Sequence, residues 1–238
     1  MPSLPAVVIP NFTAGGGGAC ESQNHLFCID WVRRNWSGVL APALGQHVVL
    51  TLIAVGIGFV LALGMALAAY RLTWLERPFG IGTAVLYTIP SLALFEILAP
   101  FFGPTRTTAE IALVGYTLLI LFRNILTGLR EVPAEVRDTA RGMGMSPRQS
   151  LFRVELPLAL PAIMAGLRIA TVTVISLATV AAYICNQGLG APIFTAINEN
   201  VFKTELICAG GLAIMLAIVA DLLLVGAQRL LTPWARSR

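Results

Sequence analysis

The chain has 238 residues, 57% of them hydrophobic and 12% charged, with a formal net charge of +4. A soluble domain carries roughly 25% charged residues, so this chain lacks the polar surface that water would demand, and lipid must cover most of it. A water-soluble globular domain is excluded, and the positive charge is read through membrane topology instead of as a nucleic-acid footprint.

Residues 1–45 are expected to form an exterior segment. Residues 1–10 have no basic n-region and carry early prolines at positions 2 and 5, so no cleavable signal is expected there. The stretch 11–24, with its glycine run at 15–18, reads as an unstructured tail. Trp31 and Trp36 flank Arg33 and Arg34 within 31–47, a pattern that suits an interfacial helix or a plain linker.

A bilayer span needs roughly 20 mostly apolar residues. Five stretches qualify: 46–70, free of Asp, Glu, Lys and Arg; 79–102, with Pro90 and Glu96; 111–129, with Arg123 and Asn124; 161–184, with Arg168; and 206–228, with Asp221. The expected fold class is therefore all-α, a polytopic membrane protein with five transmembrane helices. Its membrane domain runs from 46 to 229, with a loop at 130–160 and a tail at 230–238. Segments 71–78, 130–160 and 229–238 carry ten arginines, against Arg33, Arg34, Arg106 and Lys203 on the opposite side. The positive-inside rule then places the loop and the C-terminus in the cytoplasm and the N-terminus outside.

The loop 130–160 carries its own helix signals. Pro133 suits a first helical position, 134–141 follows without a breaker, and Gly142 and Gly144 permit a sharp turn. Ser146, Pro147 and Gln149 form a second start with a capping box, and Pro157 is expected to stop that helix. Val136, Ala140 and Met143 share one face of the first helix; Leu151 and Val154 share one face of the second. The expectation is a helix pair lying along the membrane. A basic loop anchored at lipid headgroups is the simpler alternative, but an anchor does not require two capped helices. A DNA-binding helix–turn–helix is excluded by the short tethers at both ends.

Neither catalysis nor metal binding is indicated. The only histidines, His25 and His47, lie in the exterior tail and at the outer edge of the first span, and no H-E-x-x-H or G-x-S-x-G occurs. Cys20 and Cys28, on the exterior side, can pair or stay free. Cys185 and Cys208 read as small buried hydrophobes.

Ionisable groups inside spans are expensive and therefore informative. Arg123 and Arg168 lie near the cytoplasmic ends, and Asp221 can pair with one of them. Glu96 either pairs with Arg106 or faces a pathway. Thr88, Pro90 and Ser91 interrupt the second span, as a packing kink or as part of a path. Thr171, Thr173, Ser176 and Thr179 form a polar stripe or serve helix packing.

Asp138-Thr139-Ala140, three residues, Gly144, nine residues, then Val154-x-Leu156-Pro157 is similar to the E-A-A, x3, G, x9, I-x-L-P motif. That motif marks the membrane subunits of bacterial ABC importers of the type I fold. Asp138, Thr139 and Val154 depart from it modestly. The stretches 86–103, 140–168 and 187–194 resemble permeases for glycine betaine, choline and related osmoprotectants. The resemblance implies that Asp138, Thr139, Ala140, Gly144, Met145, Ser146, Val154, Leu156 and Pro157 form a coupling site that docks in a groove of an ATP-hydrolysing subunit. It also implies a second permease subunit, two ATPase subunits and an exterior binding protein, in the bacterial inner membrane. ATP and Mg would sit on the ATPase, since this chain has no G-x-x-x-x-G-K-[ST] sequence and is expected to bind no cofactor itself. Thr88, Pro90, Ser91, Glu96, Thr171 and Ser176 are the expected path residues. Among importers of this fold, methionine is the alternative substrate. An intramembrane enzyme has no constellation to support it, and a passive channel leaves the ordered loop unexplained.

Overall fold

A computed structural model describes residues 20, 23–198 and 201–234. The expectations for 1–19 and for the last four residues fall outside the described residues. Among the described residues there is no strand, and the helices are α1 (Ile29–Arg71), α2 (Glu76–Thr88), α3 (Ser91–Phe102), α4 (Arg106–Arg130), α5 (Ala134–Gly142), α6 (Pro147–Cys185), α7 (Gly190–Asn198) and α8 (Lys203–Leu231).

Four of these, α1, α4, α6 and α8, are long and apolar enough to cross a bilayer. The expected second span is not one helix. It breaks into α2 and α3 with a 99° bend between them. Ile89, which precedes Pro90, has φ −67° and ψ 128°, the extended region into which a following proline forces its neighbour. The broken pair nevertheless follows the full length of α4 in antiparallel register. Glu76 meets Arg130, Phe79 packs edge-on against Phe122, Tyr116 reaches Ile89, and Thr108 reaches Gly103. Counted as one span, the bent pair would bring the number of crossings from four to five.

Two further boundaries differ from expectation. The stretch 31–47 is neither a separate interfacial helix nor a linker, because α1 runs through it into the first span. Likewise Pro157 does not stop a helix, since α6 continues from Pro147 to Cys185. Both continuities have one cause. An interior proline lacks an N–H and its ring crowds the carbonyl four residues back. Here each proline follows a single widened turn. Ala41 N–H bonds Trp36 O ahead of Pro42, and Leu156 N–H bonds Leu151 O ahead of Pro157. The i to i−5 register of such a π turn gives the ring room.

The centre of the molecule is α4 packed between α1 and α6. At one end, Ala62, Ala66 and Ala69 of α1 pack on Phe122, Ile125 and Leu129 of α4. Towards the other end, Ala54 and Val55 join Leu113 and Tyr116 of α4 and Ala178 and Ala181 of α6. Small residues let the backbones approach closely, as helix packing in lipid requires. At Gly58 a Cβ would lie 1.8 Å from Thr117 Oγ1, so no side chain fits there without a shift. By contrast α8 leaves Ile214, Met215, Ile218, Leu222 and Leu223 exposed.

Beside the start of α8, Cys20 and Cys28 are joined in a disulfide, while Cys185 and Cys208 are half-buried thiols. The Asn24 side-chain amide donates to Val201 O at 3.1 Å, and Lys203 N–H donates to Asn24 Oδ1 at 2.9 Å. Trp31 packs edge-on against Phe202. The disulfide-closed segment is thus tied to the start of α8.

Candidate coupling site and broken span

The motif residues at 138–146 fold as they do for local reasons. Thr139 donates its hydroxyl to Glu135 O, and Pro133 occupies the N-cap of α5. The helix ends with Met145 N–H on Ala140 O at 3.1 Å and Gly144 N–H on Arg141 O at 2.9 Å. This is a Schellman ending, in which the residue after the cap turns left-handed. That residue is Gly144, at φ +80°. The A-x3-G spacing of the motif is therefore the spacing of the Schellman motif itself: Ala140, 1% exposed, faces inward and Gly144 makes the turn.

Ser146 then caps the next helix. Its Oγ accepts from Gln149 N–H at 3.3 Å, and Gln149 Oε1 accepts from Ser146 N–H at 2.8 Å. From there the chain runs without interruption into the membrane as α6. The expected pair of separate helices is thus one short helix followed by the projecting end of a span. Asp138, Thr139, Met143, Gly144 and Ser146 are exposed on this knuckle. Asp138 is held only loosely by Arg141, at 3.7 Å on an open surface, where such a pair contributes little. Met143 turns outward instead of sharing the inner face of Ala140, and Phe152 is exposed as well. Val154, Leu156 and Pro157 are half-buried at the knuckle's base.

Behind the knuckle lies a polar cluster that the sequence did not single out. Glu155 accepts from the Tyr70 hydroxyl at 2.5 Å and from the Ser150 hydroxyl at 2.7 Å. Arg137 Nη1 donates to the Tyr70 oxygen at 3.1 Å. That hydrogen bond raises the pKa of the Arg137 guanidinium above its already high value, so it stays a cation. Tyr70 and Glu155 are 85 residues apart, too far for any local spacing to betray.

In the broken span, Thr88 donates its hydroxyl back to Val85 O, and the Ile89 carbonyl accepts from the Tyr116 hydroxyl of α4. The break is satisfied partly from within α2 and partly from a neighbouring helix. Thr88, Pro90 and Glu96 are exposed, and Ser91 is half-exposed. Arg106 is bound by Glu110 at 2.6 Å, so it is not the partner of Glu96. Asp221 takes Arg168, with bonds of 2.8 and 3.0 Å. The polar stripe of α6 divides. Thr171 is buried with its hydroxyl on Leu167 O, whereas Ser176 is exposed. Thr171 therefore packs within the chain and does not line an open face.

Buried His47 of α1 ties that helix to α6 and to the turn ahead of α7. Its Nδ1 accepts from Leu189 N–H at 3.2 Å and its Nε2 lies 3.0 Å from Ile175 O. A ring holding one acceptor and one donor position is a neutral structural imidazole. Gln46 adds a bond from Gly188 N–H at 3.0 Å.

The chain is similar to known transport proteins over most of its length. The family model described as "Binding-protein-dependent transport system inner membrane component" matches residues 48–237. The choline transport system permease protein OpuBB of Bacillus subtilis (strain 168) is 37% identical over 199 residues, covering 81% of this chain and 88% of that protein. The osmoprotectant import permease protein OsmW of Salmonella typhimurium is 37% identical over 203 residues, covering 83% and 94%. Among solved structures, the inward-facing MetNI methionine ABC transporter aligns with a TM-score of 0.75, at 20% identity and 83% and 98% coverage. That last likeness is one of fold. Given the matched family model and relatives of this identity and extent, the chain belongs to the family of inner-membrane components of binding-protein-dependent transport systems, as an ABC permease subunit that is not itself an enzyme.

Proposed function

We propose that this permease translocates a quaternary-amine osmoprotectant such as glycine betaine or choline. The observation that carries the substrate is the likeness to permeases named for choline and osmoprotectant transport, which spans more than four-fifths of the chain. Such substrates are held by cation–π attraction in aromatic cages. We assign that cage to an exterior binding protein, and to the permease only a passing path along the broken span. Thr88, Pro90, Ser91 and Glu96, with Ser176 of α6, are the residues assigned to it.

A second permease subunit would complete the path, because a chain of this size does not enclose one comfortably. Two ATPase subunits would carry ATP and Mg and dock on the knuckle from Asp138 to Ser146, with the N-terminus outside and the C-terminus in the cytoplasm. In cells lacking this protein and redundant systems, energised uptake of labelled betaine or choline at high osmolarity is expected to be lost, with methionine uptake untouched. The reverse pattern would reassign the substrate and leave the importer reading standing.

A further inference from the structure

Glu155 is 6% exposed and sits on the cytoplasmic side of α6, where docking alone has no use for it. Burying a carboxylate is costly unless its oxygens are hydrogen-bonded and its charge is answered nearby. Here both oxygens are occupied, Oε2 by Tyr70 and Oε1 by Ser150, and Arg137 binds the same Tyr70 hydroxyl. Arg71 and Arg141 line the remaining space around the cluster. The end of α1 and the start of α6 meet at this carboxylate, and α5 joins them through the Tyr70 hydroxyl.

The π turn at Leu151–Glu155 makes this possible. Residues five apart diverge around an α-helix, but an i to i+5 turn stacks them on one face. Ser150 and Glu155 are such a pair, so the widened turn that accommodates Pro157 also aims the carboxylate. Meanwhile α1 has no direct chain connection to α5 or α6. Its inner half packs on α4 through alanines, a smooth contact that resists separation better than sliding. Directional bonds to a charged group fix register where alanines cannot.

We infer that Tyr70, Glu155 and Arg137 are positioning residues that lock the cytoplasmic end of the first span to the coupling knuckle. A displacement imposed on the knuckle then moves α1 together with α6. This rests on the coupling role proposed above for residues 138–146.

The complete transporter, reconstituted in liposomes with its ATPase and binding protein, tests the lock when ATP hydrolysis and uptake of labelled betaine are read together. Losing one hydrogen bond to a charged group shifts an equilibrium about tenfold. Tyr70→Phe and Glu155→Leu are each expected to lower betaine transported per ATP by about that factor, with the ATPase still co-purifying. The double variant should be no worse than the more severe single, because both remove the same contact. Glu155→Gln, which keeps an acceptor oxygen, should recover part of the loss. Should Glu155→Leu fail to accumulate, Tyr70→Phe carries the test, since it removes a single oxygen atom and keeps the ring. Unchanged transport per ATP in Tyr70→Phe, or multiplying losses in the double variant, overturns the lock. Gly144→Val serves as the control for docking: if it abolishes transport while Tyr70→Phe does not, only the lock falls. If Gly144→Val transports normally, the docking reading falls and the lock with it.

Discussion

Gly144 shows how a single residue type can be fixed by geometry. Its left-handed φ of +80° costs an L-residue about 1–2 kcal/mol. A Cβ there would meet nothing within 4 Å, so the penalty is conformational and not steric. Gly144→Val, with a β-branched side chain, is expected to open the turn, and Asp138→Lys to reverse a charge on the exposed knuckle. Both variants should lose binding-protein-stimulated transport in vesicles while reaching the membrane at normal abundance; normal transport by both would count against coupling through this knuckle. The turn was legible beforehand because a Schellman ending and a capping box are written within a few residues. Tyr70 and Glu155 were not, because their contact is made by packing between segments that no local pattern connects. Glu96 was half legible: its intramembrane position flagged it, but only the structure hands Arg106 to Glu110.

Among the helices, prolines gave both the best and the worst guidance. Pro90 was expected to interrupt the second span, as a kink or as part of a path, and there the helix breaks altogether. Pro157 was expected to end a helix and does not, and Pro42 lies inside α1 as well. The difference lies in the turn before each proline. A π turn leaves no composition signal, so a proline that it accommodates reads like a breaker. The five apolar stretches were clear because apolar length is counted directly, whereas the crossing of α1 with α4 came only from the packing. At that crossing Gly58→Ala places a methyl 2.9 Å from Thr117 Cβ and 1.8 Å from its Oγ1. Overpacking of this kind costs typically about 1–3 kcal/mol. The expected result is a lower melting temperature in detergent for Gly58→Ala, partly restored when Thr117→Ala removes the hydroxyl. No change in melting would mean that α1 and α4 separate there freely.

For the molecule as a whole, two features bear on the proposed orientation. Ten arginines lie in the segments 71–78, 130–160 and 229–238, the side that the positive-inside rule assigns to the cytoplasm. The Cys20–Cys28 disulfide is fastened to the start of α8, a full span away from Arg229 near that helix's other end. Disulfides persist on the oxidising side of a membrane, so with the knuckle in the cytoplasm, as proposed, the disulfide end would face out. The antiparallel register of the broken pair along α4 is what makes the two features agree. Were α2 and α3 a re-entrant loop, α4 would start on the cytoplasmic side and carry the knuckle outside, against the arginines. Single cysteines can decide this in a chain whose Cys185 and Cys208 are replaced and whose disulfide is kept. Asp30→Cys, on the exposed outer part of α1, is expected to react with an impermeant thiol reagent in intact cells. Ser146→Cys, exposed on the knuckle, should react only after the membrane is opened, and Ser237→Cys likewise. Labelling of position 146 from outside would remove one crossing and invert everything C-terminal to the bend, the coupling site included.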